Sequence, residues 1–356
     1  MNNLKQVKST NFEGQDFFIG LDVHRKNWVV TIRCNHMELK TFSMNPSAQK
    51  LYHYLSKNYP KGNYYSVYEA GFCGFWIHRN LHELRINNIV ANPADIPTTN
   101  KEKDRRRDPI DSRKLARELE NGSLDGIYVP SEKQQAIRSI SRLYYHTSKD
   151  RVRIKNRIKS YLHFHGIEIP RVDEMRHWSG QFINWLNNLP FQQQEDGYFL
   201  KRLIKDLEQK RKDILELFKY MRVLVKDNSV IKYLRSVYGI GFITSFTLYA
   251  ELMDMHRFSR MDDLASFIGL VPSVSASDDR ESVRGLTYRY SKYLRNQLIE
   301  AAWVAVRRDP ALTQCFSQYI KRMSKQKAII RIAKKLLNRI RYVWLNQKEY
   351  VTGVVE

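Results

Sequence analysis

Apolar and polar positions change period along this chain, and the period marks the elements. Residues 17–21 (FFIGL) form a short apolar run that predicts a buried strand. Residues 28–34 (WVVTIRC) and 38–43 (ELKTFS) follow after brief polar breaks, the pattern of an antiparallel meander. Pro46 opens a helical stretch to about Asn58, with Leu51, Tyr54 and Leu55 on one face. YYSVYE (64–69) predicts a fourth strand, residues 74–86 a helix, and NNIVAN (87–92) a fifth strand.

Three strands, helix, strand, helix, strand is the order of an RNase H-like domain, here expected over residues 15–130. Beyond Pro130 the period is helical. Ser131 and Gln134 make a capping-box pattern that starts a long helix. Along it Ile137, Ile140, Ile154 and Ile158 interleave with Arg138, Arg142, Lys149, Arg151, Arg153, Lys155, Arg157 and Lys159. A second helix spans roughly 198–226. Its residues Leu200, Leu203, Leu207, Ile214, Leu217, Met221 and Leu224 keep a 3-4 spacing broken only by Lys210. That seam suits a coiled coil within or between chains, and equally one face of a helical bundle.

The last third, VYGIGFITSFTLYAEL (237–252) onward, predicts further helices. Its G-x-G sits between two apolar helices and resembles a helix-hairpin-helix, where Gly239 and Gly241 would let backbone N–H groups approach a phosphate. A tight helix–helix turn explains the same two glycines. Residues 326–345 put Ile329, Ala333, Leu336, Ile340 and Val343 on a core stripe ringed by Arg331, Lys334, Lys335, Arg339 and Arg341. The expected fold class is α/β plus all-α: an α/β domain to 130, a helical or coiled-coil region over 131–228, and a helical domain over 229–350.

Charge narrows the function. The 356 residues carry 60 Lys and Arg against 37 Asp and Glu, a formal net charge of +23. Such an excess attracts polyanions through counterion release. A membrane surface is the competing polyanion, but no apolar run approaches the ~18 residues of a spanning helix. The polar start MNNLKQVKST is no signal peptide. Cys34, Cys73 and Cys315 are far apart and form no C-x-x-C pair, which fits a reducing cytoplasm rather than a zinc site or disulfide framework. No phosphate-binding G-x-x-x-x-G-K-[ST] appears. The expectation is a cytoplasmic, nucleoid-associated protein with a nucleic-acid partner and no membrane.

Candidate chemistry lies in two places. Asp22 ends the first strand (GLDVH) and Glu69 the fourth (YEAG), strand ends that are neighbours in an RNase H-like sheet. Asp108 and Asp111 flank Pro109 inside the basic stretch KEKDRRRDPIDSRK. Pro109 fits the first position of a helix, making Asp108 its N-cap and Asp111 its N3 residue, a purely structural account of the pair. Combined with Asp22 and Glu69, they form a hard-oxygen set suited to a divalent cation at a phosphodiester. Asp104 lies upstream of that helix start. Far downstream, a serine-rich loop at 273–282 offers hydroxyls at Ser273, Ser275, Ser277 and Ser282, as polar surface loops often do.

Taken together, GLDVHRKNW, YEAGFCG, VANPADIPTT, RDPIDSRKLAREL, VYGIGFITSFTLYAEL, LASFIGLVPS and LRNQLIEAAWVAVR resemble, in this order and over nearly the whole chain, the DEDD transposases of the insertion-sequence 110 family. The resemblance implies a RuvC-like tetrad of Asp22, Glu69, Asp108 and Asp111 holding Mg2+ or Mn2+. It implies Ser277, in GLVPSVSASDD, as a nucleophile forming a phosphoserine link to DNA. Asp278 stands where the family usually has glycine, and Tyr290-Ser291 where it often has Gly-Asn. Donor and target DNA, a structured bridge RNA and a homo-oligomer (dimer to tetramer) are the implied partners, with the RuvC-like site of one subunit combining with the serine of another. Candidate nucleic-acid contacts are Arg142, Arg151, Arg153, Lys155, Arg157, Lys159, Gly239, Gly241, Arg331 and Lys335, with Tyr144, Tyr145, Tyr161 and Phe164 on the same long helix. A RuvC-like nuclease acting on branched DNA, with an inert serine loop, is the alternative enzyme. A catalytically decayed nucleic-acid-binding protein is the non-enzymatic one.

If phosphate contacts dominate, RNA binding weakens steeply with salt. Each neutralised phosphate adds about −0.7 to −0.9 to the log–log slope of affinity against salt. Titration at several salt concentrations measures that slope, and a flat response contradicts the reading.

Overall fold

The computed structural model describes residues 11–97, 108–277, 280–288 and 290–352, in two compact units, Met1–Val129 and Pro130–Glu356. The first unit is a mixed five-stranded sheet. Strands β1 (Asp16–Val23), β2 (Trp28–Cys34) and β3 (Met37–Met44) form the antiparallel meander, and β4 (Asn63–Glu69) and β5 (Asn87–Ala91) add in parallel, giving the order β3-β2-β1-β4-β5.

Period-two alternation assigns the faces. On β1, Phe17, Ile19, Leu21 and Val23 face a core completed by Leu51 and Leu55 of α1 (Ala48–Asn58) and Ile77 and Leu81 of α2 (Trp76–Glu83). Helix α1 starts two residues after the predicted Pro46. Ser47 supplies its cap by accepting the Lys50 N–H.

The other face of the sheet is covered by α3 (Asp108–Glu120). Gly20 makes this possible. A Cβ there would lie 2.0 Å from the Ser112 carbonyl oxygen and 2.5 Å from the Ala116 nitrogen, so the helix backbone rests directly on the strand. Ser112 Oγ shares a 2.9 Å hydrogen bond with Thr31 Oγ1, and Glu120 accepts from Arg33 Nε at 2.6 Å. Since Thr31 pairs with Gly20, and Arg33 with Phe18, α3 runs opposite to β1 and begins at the strand's C-terminal end.

In the second unit, α4 (Glu132–Phe164) opens with the expected capping box at Ser131 and Gln134. It lies antiparallel to α6 (Gln194–Leu224), with α5 (Gly180–Asn187) against their far end. The 3-4 seam is used within the chain. Leu200, Leu203 and Leu207 pack on Ile154, Ile158 and Leu162 of α4 and on Phe182, Ile183 and Leu186 of α5, while Met221 meets Ile137. Ile214 is buried, but Leu224 is 38% exposed, so the seam does not reach the end of the helix.

Helices α7 (Ser229–Ser236), α8 (Phe242–Leu252), α9 (Met261–Ile268), α10 (Arg295–Ala305), α11 (Pro310–Ile320) and α12 (Lys325–Asn346) share one further core. The expected serine loop is instead an antiparallel hairpin, β6 (Pro272–Ser277) and β7 (Arg280–Leu286), in which Ser275 faces Ser282 and Ser277 faces Arg280.

Because the seam is intrachain, Leu207→Ala is expected to destabilise the helical arm by about 3 kcal/mol, as for a fully buried leucine. Urea denaturation at low and high protein concentration checks this. A loss that appears only on dilution would mean the residue holds subunits together.

Candidate active site

The sheet brings the carboxylates to one end and one face. Leu21 pairs with Tyr68 across the parallel β1–β4 ladder, so Asp22 and Glu69 are the next residues on neighbouring strands. Asp22 lies two residues beyond Gly20. Glu69 lies two beyond Val67, which packs on Leu115 of α3. Both therefore belong to the face that α3 covers. Asp111 directly precedes Ser112, the residue seated at Gly20, and so enters from the helix N-terminus at the same end of the sheet. All three are half-buried.

Asp108 is the first residue of α3, but its side chain lies outside the described residues, as does all of Asp104. Among the described residues no group of three or more His, Cys, Asp or Glu side chains is gathered tightly enough to grip a metal ion. The donor set nevertheless has the chemistry of a divalent-cation site: hard carboxylate oxygens on two rigid strand ends and a helix start.

Two neighbours of Asp22 carried no prediction. His24 Nε2 approaches Asp22 Oδ2 at 3.2 Å. Its signal is present in GLDVH, because residues two apart in an extended segment point the same way, although His24 lies one residue beyond β1. Cys73 Sγ donates to the Val23 carbonyl at 3.5 Å, and its thiol is pushed up by burial and then by the Asp22 charge. The segment after Glu69 is pinned by Ala70 N–H to the Ala91 carbonyl (2.8 Å) and by Tyr68 Oη to the Gly74 carbonyl (2.8 Å). Burial pushes the Tyr68 hydroxyl up to about 12 and keeps it a donor.

Ser277 ends β6, in the other compact unit. The side chains of Ser273, Ser275, Ser277 and Ser282 lie outside the described residues, as does all of Asp278. The hairpin's base is fixed by Thr287 N–H to the Val271 carbonyl (3.1 Å) and by Arg295, which donates to the Thr287 carbonyl and lies 3.7 Å over the Tyr290 ring. Tyr290 thus has a packing role. The Ser291 carbonyl accepts from the Leu294 and Arg295 N–H groups ahead of α10.

The expected nucleic-acid contacts divide. Arg142 is committed to the fold: it donates to both oxygens of Glu251 (2.8 and 2.9 Å), a carboxylate 3% exposed, and lies over Tyr293. Glu251, on the apolar run of α8, was the overlooked signal. Lys155 lies 5.0 Å over Trp178, its pKa lowered first by burial and then by Arg151, Arg211 and Lys159. Gly239 has φ +86° and abuts α10, where a Cβ would lie 2.3 Å from the Ala301 carbonyl oxygen; helix packing accounts for it. Gly241 caps α8. Arg151 is half-buried, and Tyr144 and Tyr161 pack into helical cores. Arg153, Arg157, Lys159, Arg331 and Lys335 are exposed, and Phe164 is 84% exposed. Among the described residues no helix is long and apolar enough to cross a membrane.

A DEDD transposase model of the IS110 kind matches residues 19–166, and a Transposase IS116/IS110/IS902 family model matches residues 231–317. A candidate transposase of Sinorhizobium fredii, y4rJ, is 29% identical over 319 residues, 81% of this chain and 78% of that protein. A second from the same organism, y4qE, is 26% identical over 241 residues, 67% of this chain and 58% of that protein. The transposase for insertion sequence element IS1111A of Coxiella burnetii is 23% identical over 245 residues, 67% of this chain and 65% of that protein.

The contact at Gly20 makes the site testable through its scaffold. Gly20→Ala forces α3 off the strand, with an expected cost of about 1–3 kcal/mol for overpacking. Urea denaturation measures the loss. An unchanged midpoint would mean that the helix shifts freely and that Asp111 is not held by this contact.

Proposed function

We propose that the chain is a transposase of the IS110/IS116 kind that excises and inserts a bacterial insertion sequence, with Ser277 as nucleophile and Asp22, Glu69, Asp108 and Asp111 as the assisting RuvC-like tetrad. The observation that carries this reading is the convergence of Asp22, Glu69 and the start of α3 at one end of the sheet.

When bound there, Mg2+ or Mn2+ supplies positive charge to the phosphoryl oxygens of the scissile bond. The carboxylates hold and orient. His24 Nε2 lies 3.2 Å from Asp22, and the positive end of the α3 dipole favours acidic groups at its first turn. The Ser277 oxygen forms a bond to phosphorus as the bond from phosphorus to one sugar oxygen breaks. The serine proton leaves to solvent, and the departing sugar oxygen takes one up. Religation reverses the exchange with a new sugar hydroxyl, so no external energy source is required. This fits a chain without a P-loop motif.

In this reading a structured RNA encoded beside the element pairs with donor and target DNA. Dimers to tetramers bring the serine of one copy to the carboxylates of another. The exposed cations Arg153, Arg157 and Lys159 on α4 support a polyanion partner.

Denaturing electrophoresis of labelled target DNA, in magnesium with the guide RNA, is the test. Ser277→Ala is expected to bind RNA and DNA yet lose cleavage and covalent protein–DNA adducts by several powers of ten. Asp22→Ala is expected to lose the same step. Normal cleavage by Ser277→Ala beside an inactive Asp22→Ala would replace this mechanism with a metal-dependent nuclease. Loss shifting to Ser275→Ala or Ser273→Ala would keep the mechanism and correct the residue.

A further inference from the structure

Residues 347–351 build a groove beside α12. Gln347 takes left-handed backbone (φ 51°) and turns the chain back along the helix. Tyr350 then donates its hydroxyl to Asp309 Oδ2 at 2.8 Å and its N–H to Ser236 Oγ at 2.7 Å. Asp309 is 1% exposed and also takes Arg339 at 2.8 Å and the Leu312 N–H at 3.1 Å. Burial first, then the bond to Asp309, pushes the Tyr350 hydroxyl up to about 12, so it remains a donor. The tail is therefore a fastened wall. Between it, α11 and α12 lies a groove of about 940 Å³.

Leu312, Cys315 and Leu345 give the groove apolar lining, and its open side is cationic. Arg331, Lys335, Asn338 and Tyr342 follow at spacings of four, three and four, on one face of α12. All four are exposed, Tyr342 by 53%. Among the described residues no carboxylate pairs with Arg331 or Lys335. The one lining carboxylate, Glu349, is paired with Lys232 at 2.9 Å.

Two cations one helical turn apart suit successive backbone phosphates, Asn338 can donate to or accept from a base edge, and Tyr342 offers a ring face. A duplex keeps its base faces stacked inside and has none to give Tyr342. An unpaired strand does. We propose that this groove binds a short segment of single-stranded nucleic acid, with its phosphates on Arg331 and Lys335 and a base stacked on Tyr342. The proposal goes beyond the transposition reading and does not depend on Ser277.

The test uses the full chain carrying Ser277→Ala, so that no cleavage intervenes and a failure here leaves the nucleophile assignment untouched. A short oligo-dT containing 5-iodouracil is photocrosslinked with excess duplex DNA as competitor, and the modified peptide is mapped by mass spectrometry. The expected crosslink is at Tyr342. Fluorescence anisotropy should show Tyr342→Ala weakening the single strand about five-fold or more, with Tyr342→Trp retaining affinity and duplex binding unchanged. Lys335→Gln should reduce the salt slope for the single strand by about 0.7. Crosslinks mapping only elsewhere, unchanged single-strand affinity in Tyr342→Ala, or equal losses for strand and duplex would each overturn the proposal.

Discussion

Helix α3 can lie on the sheet only because residue 20 has no side chain, and the candidate site follows from that contact. With the Ser112 carbonyl and Ala116 seated against Gly20, the helix cannot slide without opening a void or a clash. Arg33 gripping Glu120 fixes its direction, so its first turn meets the strand ends that carry Asp22 and Glu69. Three half-buried carboxylates at one end of the sheet concentrate negative charge there, and like charges brought closer repel. The helix terminus offsets part of that repulsion, because its unsatisfied N–H groups present partial positive charge at the same end. A helix laid the other way would bring its partial negative charge there instead.

The second unit shows how a strongly basic chain divides its charge between folding and binding. Arg142 is held by Glu251, with Arg138 at 3.7 Å from the same carboxylate, and Arg339 is held by Asp309. These cations fasten helices together, and their partners are carboxylates at most 4% exposed. Removing one such partner would leave an uncompensated buried charge, a much larger penalty than loss of a surface pair. Arg153, Arg157 and Lys159 on α4 and Arg331 and Lys335 on α12 are different. They project from helices whose opposite faces are already buried in the fold, and apart from Arg153, which pairs with Asp150 on the same helix at 2.7 Å, none has a carboxylate partner among the described residues.

Local period made much of this legible. The five strands, α1, α2 and α4 were readable because each buries one face at a period its own residues declare. The capping box at Ser131 was readable for the same reason. What depends on distant partners was not. G-x-G at 239–241 looks alike whether it approaches phosphate or packs on a helix, and only the Ala301 carbonyl decides for packing at Gly239. The seam on α6 has one period whether its partner is α4 of the same chain or a second copy. Residues 273–282 read as a loop in the sequence because small polar residues dominate PSVSAS, so alternation carries little hydrophobic contrast. Asp22 and Glu69 are legible as neighbours because a parallel ladder places strand ends side by side.

The contrast between the two halves of the proposed chemistry has a physical consequence. Asp22 and Glu69 stand on strands buried in a sheet, so their positions are set before any substrate arrives. Ser277 stands at the end of a two-stranded ribbon, and an isolated two-stranded ribbon is marginally stable, so it depends on what holds its base. That base is tied at Val271 and Thr287 and clamped by Arg295 over Tyr290. Within the proposed mechanism, the carboxylates form the fixed half and the serine the half whose final placement is left to the docked nucleic acid. Such a division suits an enzyme that must not cut until a strand is in place, because an ungated nucleophile beside a pre-formed site would attack whatever phosphodiester came first.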